Sequence, residues 1–234
     1  MSSGVLALDY GGTLATPSPR VTAAGLAAVA RARYGDRLPA DVAIAWNDAF
    51  AAERRAEREG GRQRPLSAIL SSMLRRYDID DDGVALVDAL FDSIGDGTPL
   101  PAALPFLRWA RNSGFECVIA SNTYRPLRVR ETTLSQAGLR PYVRTVLLSS
   151  ELGVRKPHPE FFSAVIAGAD AQRVVFIGDT LDKDVLGPLA AGMSAILVAG
   201  APLAQPVGHA QFLGRVAHLD EIPAVLQRWQ SNAA

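Results

Sequence analysis

The chain is short of cysteine, of lysine and of net charge, and each shortage closes off a class of function. Cys117 is the only cysteine among 234 residues. A disulfide framework is therefore excluded, and its place in the apolar run "FECVIAS" predicts a buried thiol. Lys plus Arg equals Asp plus Glu, at 24 each, so the formal net charge is zero. A nucleic-acid binder carries a basic excess or a basic stripe. Neither is present, and no nucleic-acid partner is expected. The richest charged run, "ERRAEREGGRQR" at 53–64, alternates both signs and reads as a solvated helix face running into a Gly-rich turn. No apolar run reaches the roughly 18 residues a membrane helix needs. The start "MSSGVLALDY" has neither a basic segment nor a long apolar one. These features predict a soluble, cytoplasmic protein with no membrane partner. Lysine is scarcer than arginine throughout: only Lys156 and Lys183 occur. A GC-rich genome produces such a bias without selection for function, and it makes each lysine easier to weigh.

What is present is enough apolar material for a sizeable core, 48% of the chain, in a length suited to one large domain or one domain with a smaller insertion. No repeat or low-complexity segment interrupts it. Short apolar runs suited to buried parallel strands recur at 5–9, 115–121, 143–149, 173–179 and 194–200. Helical stretches precede the last four, and this alternation predicts an α/β fold with a parallel sheet. The tail reads as a loop, a short strand around "GRVAHL" and a last helix carrying Ile222, Val225, Leu226 and Trp229.

The first strand breaks the rhythm, because the residues after it read only as helices. "DVAIAWNDAF" puts Val42, Trp46, Ala49 and Phe50 on one face. "PLSAILSSMLRRY" begins with Pro65 in the first turn and repeats Leu66, Ile69, Leu70, Met73, Leu74 and Tyr77 at helical spacing. "DDGVALVDALFDSI" does the same with Val84, Val87, Leu90, Phe91 and Ile94. These stripes read as core rather than cofactor contacts. A helical insertion over 17–96 is expected, set over the carboxyl ends of the strands, where open α/β sheets bind ligands.

Polar residues stand at those strand ends. Strand one ends at Asp9, the second at Ser121-Asn122 and the fourth at Gly178-Asp179, with Asp184 five residues later. "GVRKPHPE" places Lys156 just before a Pro-rich helix start. A carboxylate in a dry cleft can attack phosphorus or carbon. Carboxylates with a backbone carbonyl suit Mg²⁺. A lysine beside the nucleophile lets an anionic substrate approach. A Ser hydroxyl and backbone N–H groups bind phosphate oxygens, and glycines after Asp9 let the backbone come close.

In this order the residues resemble the four motifs of the haloacid dehalogenase superfamily: "LDYGGTL", "IASN", "VRKPHPEFF" and "IGDTLDKDV". The resemblance covers residues 5 to about 200. It implies a Rossmann-like core over 1–16 and 97–234 and a helical cap over 17–96. It implies that Asp9 is the nucleophile and Lys156 its charge-neutralising partner. Gly12, Thr13, Ser121, Asn122 and Lys156 would hold the phosphate. Asp9, the Gly11 carbonyl, Asp179 and Asp184 would hold Mg²⁺, and the substrate would be a small phosphorylated molecule.

One position departs from that pattern. Phosphatases of the family read Asp-x-Asp after strand one, and the second Asp protonates the leaving oxygen. Here it is Gly11, which offers a carbonyl but cannot shuttle a proton. The carbon–halogen branch also lacks that Asp, but its fourth motif is less acidic than "GDTLDKD", and Tyr10 is displaced by one residue from the tyrosine that branch carries. The phosphonate branch needs a cap lysine, and 17–96 contains none. The ion-pumping branch needs membrane helices. An Mg²⁺-dependent phosphoryl-transfer enzyme without its usual acid is the expectation, with a phosphotransferase, a non-catalytic binder and, behind them, a dehalogenase as alternatives. Asp36, Asp48, Glu53 and Glu57 are candidates to supply the proton from the cap. His158, His209 and His218 carry no clear role.

Overall fold

The structure, a computed structural model, describes residues 4–201 and 207–233. Six strands form one parallel sheet: β1 (Gly4–Leu8), β2 (Phe115–Ser121), β3 (Thr145–Leu148), β4 (Val174–Gly178), β5 (Ser194–Val198) and β6 (Phe212–Val216). Their order is β3-β2-β1-β4-β5-β6. The first strand is therefore central, with Ala7 paired to Val118 on one side and Phe176 on the other.

Both faces of the sheet are covered, which is why its strands are apolar without alternation. Leu6 and Leu8 face one apolar cluster; Val5 and Ala7 face the other, following the two-residue period of a strand. Helices α5 (Ala103–Asn112) and α10 (Ile222–Ala233) pack on the first face through Phe106, Leu107, Ile222 and Leu226. Cys117 lies in that cluster, 2% exposed, as its run predicts. Helix α8 (Pro159–Ile166) covers the second face with Phe161, Phe162 and Val165.

Between β1 and α5 the chain forms α1 (Ala23–Tyr34), α2 (Val42–Gly60), α3 (Leu66–Leu74) and α4 (Val84–Ile94). They have an apolar cluster of their own, including Leu26, Trp46, Leu70 and Phe91. The two chain crossings into this unit are tied together, Thr16 N–H to Thr98 C=O at 2.8 Å and Leu100 N–H to Leu14 C=O at 2.9 Å.

Helix α1 is weakly amphipathic and Ala-rich, so no strong stripe marks it in the sequence. Two local expectations are corrected. The helix after Pro65 ends at Leu74 and tightens into a 3₁₀ turn at Arg75–Tyr77, because Asp78 takes a left-handed conformation. The last strand lies at Phe212–Val216 rather than around 214–219, where "HL" instead caps the turn into α10.

Candidate active site

The strand order brings the polar strand ends together. Asp9 follows β1, Ser121 closes β2 and Asp179 follows β4, its neighbours in the sheet. Lys156 comes from the loop between α7 (Ser149–Leu152) and α8. It is 2% exposed, and its Nζ donates to Asp9 Oδ1 at 2.9 Å, Asp184 Oδ1 at 2.7 Å and the Ala120 carbonyl at 2.9 Å. All three ammonium protons are thus placed. Asp184 stands on a wide π-helical turn, Leu181–Leu186, and its Oδ2 accepts the Thr180 N–H at 3.0 Å.

The electrostatics of this floor are unbalanced. Burial pulls the Lys156 ammonium toward the neutral form, but Asp9 and Asp184 outweigh it and hold the charge more firmly than on a free lysine. Burial pushes Asp184 up to about 6, and Lys156 opposes that rise. Asp179 is raised by burial and then by the Asp9 charge. Asp9, Asp179 and Asp184 each offer an oxygen, all within 4.8 Å of one another. Three carboxylates against one ammonium leave a formal charge of −2. An all-oxygen donor set with that surplus fits a hard divalent cation. Asp9 and Asp179 would hold it; Asp184 has both oxygens engaged and would act mainly by fixing Lys156.

The glycine loop makes room for this arrangement. Gly12 has φ +91°, and a Cβ there would lie 2.2 Å from Asp179 Oδ2. Only glycine lets β1 and β4 meet so closely. Gly11 differs: a Cβ would find its nearest neighbour, the Ser18 nitrogen, at 3.6 Å.

Three residues expected to hold phosphate have other engagements. The Gly12 N–H donates to the Ala15 carbonyl at 2.7 Å and the Thr13 N–H to Tyr10 at 3.2 Å. What Thr13 retains is a buried hydroxyl with no hydrogen-bond partner. The Asn122 amide clamps the Lys156 main chain, donating to its carbonyl at 2.9 Å and accepting its N–H at 2.8 Å. Asn122 therefore positions the lysine. Ser121 faces the cleft.

The cleft above the floor holds about 250 Å³ and is lined by Asp9, Gly11 and Ser121 below. Its walls carry Arg20, Arg54, Arg125, Arg130 and Arg155. Sequence reasoning missed every one of these arginines. Arg125 Nε and Nη2 donate to the Gly95 and Pro19 carbonyls at 2.9 and 2.7 Å, tying both chain crossings. Asp96 lies between Arg125 and Arg130, 3.2 and 3.3 Å from their Nε atoms. Arg130 also stacks on Tyr10, its guanidinium carbon 3.3 Å from the ring centroid. Tyr10 points into the core, with its hydroxyl donating to the Gly97 carbonyl at 3.1 Å.

Of the four cap acids, Glu57 alone is buried, 2% exposed. Its Oε2 accepts from the Tyr124 hydroxyl and from Arg155 at 3.2 Å, and burial raises its pKa. Glu53 pairs with Arg64, and Asp36 and Asp48 are exposed. His158 caps α8, accepting the Glu160 N–H at 3.3 Å.

A family model for haloacid dehalogenase-like hydrolases matches residues 4–192, most of the chain and all four motifs. The chain belongs to that hydrolase family. Pyrimidine 5'-nucleotidase YjjG of Escherichia coli is 33% identical over 114 residues, 47% of this chain and 49% of that protein. The glyceraldehyde 3-phosphate phosphatase of Methanopyrus kandleri is 32% identical over 103 residues, 43% of each. The chain thus spans about half the length of the curated relatives it matches. A 2-haloacid dehalogenase structure from Pseudomonas syringae superposes with a TM-score of 0.67 at 22% identity, covering 97% of this chain and 99% of that one. That likeness speaks to the fold. Among the described residues no helix is long and apolar enough to cross a membrane.

Proposed function

We propose that the chain is an Mg²⁺-dependent phosphohydrolase acting on a small phosphorylated molecule through a phosphoryl-Asp9 intermediate. In this reading residues 1–16 and 97–234 are the catalytic core and 17–96 a helical cap. The observation that carries it is the buried Lys156 ammonium shared between Asp9 and Asp184 beside Asp179. Lys156 occupies Asp9 Oδ1, which leaves Oδ2 to attack phosphorus. The same lysine lowers the cost of bringing a phosphate dianion to a carboxylate. In this reading the Ser121 and Thr13 hydroxyls would donate to phosphoryl oxygens. A bound cation, held by Asp9, Asp179 and the Gly11 carbonyl, would offset the negative charge of the transferring group. The matching phosphatases and nucleotidases support phosphorus over carbon–halogen chemistry. So does the acidic pair Asp179 and Asp184.

The test is phosphate release from a panel of phosphorylated metabolites, with Mg²⁺ and with excess chelator. Asp9→Asn should lower turnover by about 10⁴-fold or more, as loss of a nucleophile does. Full turnover in chelator would overturn the metal assignment. Gly11 favours one second reading, binding without turnover. Under it Asp9→Asn leaves ligand affinity and cellular function unchanged.

A further inference from the structure

The cleft has five arginines against one carboxylate, Asp9, and that carboxylate is already paired with Lys156. A single transferred phosphoryl group does not use so much positive charge. Two of the arginines are engaged elsewhere: Arg125 on two carbonyls and Asp96, Arg155 on Glu57. Arg20 and Arg54 have no carboxylate partner among the described residues; Arg54 faces the Phe50 ring at 5.9 Å. Arg130 is the telling one. It is 1% exposed and lines the cleft; its Nε faces Asp96 Oδ2 at 3.3 Å, while its Nη1 finds no hydrogen-bond acceptor. Stacking on Tyr10 and the Asp96 charge account for the cation and for Nε, but not for the unpartnered Nη1. A buried donor left without a partner is costly, and an anion entering the cleft would remove that cost.

A second absence points the same way. Gly11 lines the cleft beside Asp9 and has no side chain to protonate a departing oxygen. An alkoxide needs that proton. A phosphate or a carboxylate leaves without it, because it is stable as an anion.

Resting on the phosphoryl-transfer reading above, we propose that the leaving group is itself an oxyanion, received by Arg130 with Arg20 and Arg54. The substrate class is then a phosphoric anhydride or an acyl phosphate. The Asp9 oxygen forms its bond to phosphorus, the bond to the leaving oxygen breaks, and the electron pair stays on that oxygen as a phosphate or carboxylate anion. Arginine cannot donate the proton, but it takes up the charge. In the second step water bonds to phosphorus and the bond to Asp9 breaks, returning its electron pair to the carboxylate. Both water protons remain on the released dihydrogen phosphate.

The experiment compares kcat/KM, in excess Mg²⁺, for pyrophosphate, acetyl phosphate, p-nitrophenyl phosphate and glycerol phosphate. Calorimetry with methylenediphosphonate and methylphosphonate reads binding apart from turnover. Pyrophosphate or acetyl phosphate should lead, and which one leads assigns the source of the oxyanion. Methylenediphosphonate should bind about 10–100-fold tighter than methylphosphonate, the range one charged hydrogen bond gives. Arg130→Gln should cut the leading substrate by that factor more than p-nitrophenyl phosphate. Arg54→Gln and Arg20→Gln, on a half-buried and an exposed side chain, should do so in part and guard against a misfolded Arg130 variant. Equal binding of the two phosphonates, with p-nitrophenyl phosphate still hydrolysed, would overturn the proposal and leave the phosphatase reading standing. Glycerol phosphate turned over as well as pyrophosphate, and lost in Glu57→Gln, would move the proton to the cap and also overturn it. No turnover of any substrate would take down both.

Discussion

Two ion clusters face the same cleft with opposite imbalances. On the floor, three carboxylates share one ammonium: Lys156 pairs with Asp9 and Asp184, and Asp179 lies beside these two acids. At the crossing between sheet and helices, two guanidinium groups share one carboxylate: Arg125 and Arg130 around Asp96. Asp9, Asp184 and Lys156 on the floor and the whole wall cluster are buried, where an unmatched charge is expensive; Asp179 is exposed. The floor lacks positive charge and the wall lacks negative charge. Neither is a balanced salt bridge, and on the readings proposed above a cation would complete the floor and an anion the wall. A substrate that carries phosphate toward the floor and a second anion toward the wall completes both.

The strongest way to break this comparison is to remove the shared member of each cluster. Lys156→Met leaves two buried carboxylates facing one another, and Asp96→Asn leaves two buried arginines. Each should cost about 3–5 kcal/mol, the usual penalty for stripping one partner from a buried pair. Lys156→Met should also abolish turnover. Urea titrations with added ligands should then separate the two. Millimolar Mg²⁺ should restore part of the stability of Lys156→Met, and phosphate part of that of Asp96→Asn, because a ligand that binds only the folded state stabilises it. Rescue of both variants by the same ion would erase the distinction.

The next effect concerns the empty place at Gly11. Gly11→Asp should raise alkyl phosphate turnover by about 10²–10⁴, the worth of a positioned general acid. The backbone accepts the change, since the new Cβ would sit 3.6 Å from the Ser18 nitrogen and 3.8 Å from its hydroxyl. Ser18 already donates to Asp96 Oδ1 at 2.9 Å, so a new carboxylate would also touch the wall cluster. Turnover of anhydrides should gain little, because their leaving group needs no proton. Equal gains on both would mean that the substitution acts by placement rather than by proton transfer.

The floor was legible in the sequence because its residues stand at strand ends, and strands announce themselves as apolar runs. Asp9, Ser121 and Asp179 close such runs, Asp184 follows five residues later, and Lys156 stands out where lysine is almost absent. The wall was illegible for the complementary reason. Arginine is the common cation of this chain, so Arg130 on α6 (Leu127–Gln136) looks like any other helix-surface residue. Nothing in its spacing reveals that Asp96 and Tyr10, 34 and 120 positions away, draw it inside. Asn122 shows a finer limit. Its type fits a phosphate ligand or a helix cap equally well, and only the fold brings its amide to the Lys156 main chain. The sheet itself was readable almost throughout; α1 was not, because an Ala-rich helix buries a narrow, faint stripe.

The smallest expected effect is the most discriminating for the glycine loop. Gly11 and Gly12 are adjacent, yet the structure treats them differently. At Gly12 a side chain meets Asp179 and the backbone sits at φ +91°, so Gly12→Ala must push the β1 loop off the carboxylate and lose both stability and metal binding. At Gly11 the space is open and the backbone lies outside the left-handed region. Gly11→Ala should therefore fold as the wild type does, with a gain of about 0.4–1 kcal/mol because alanine restricts the unfolded chain. Its carbonyl stays where a cation would meet it, so turnover should stay within about twofold on every substrate. Thermal unfolding together with the leaving-group series checks this. A Gly11→Ala enzyme that matched Gly11→Asp on alkyl phosphates would show that the missing side chain is a matter of loop stiffness rather than of a missing proton. A Gly11→Ala enzyme that lost activity would show that the loop must flex at this position during the phosphoryl transfer.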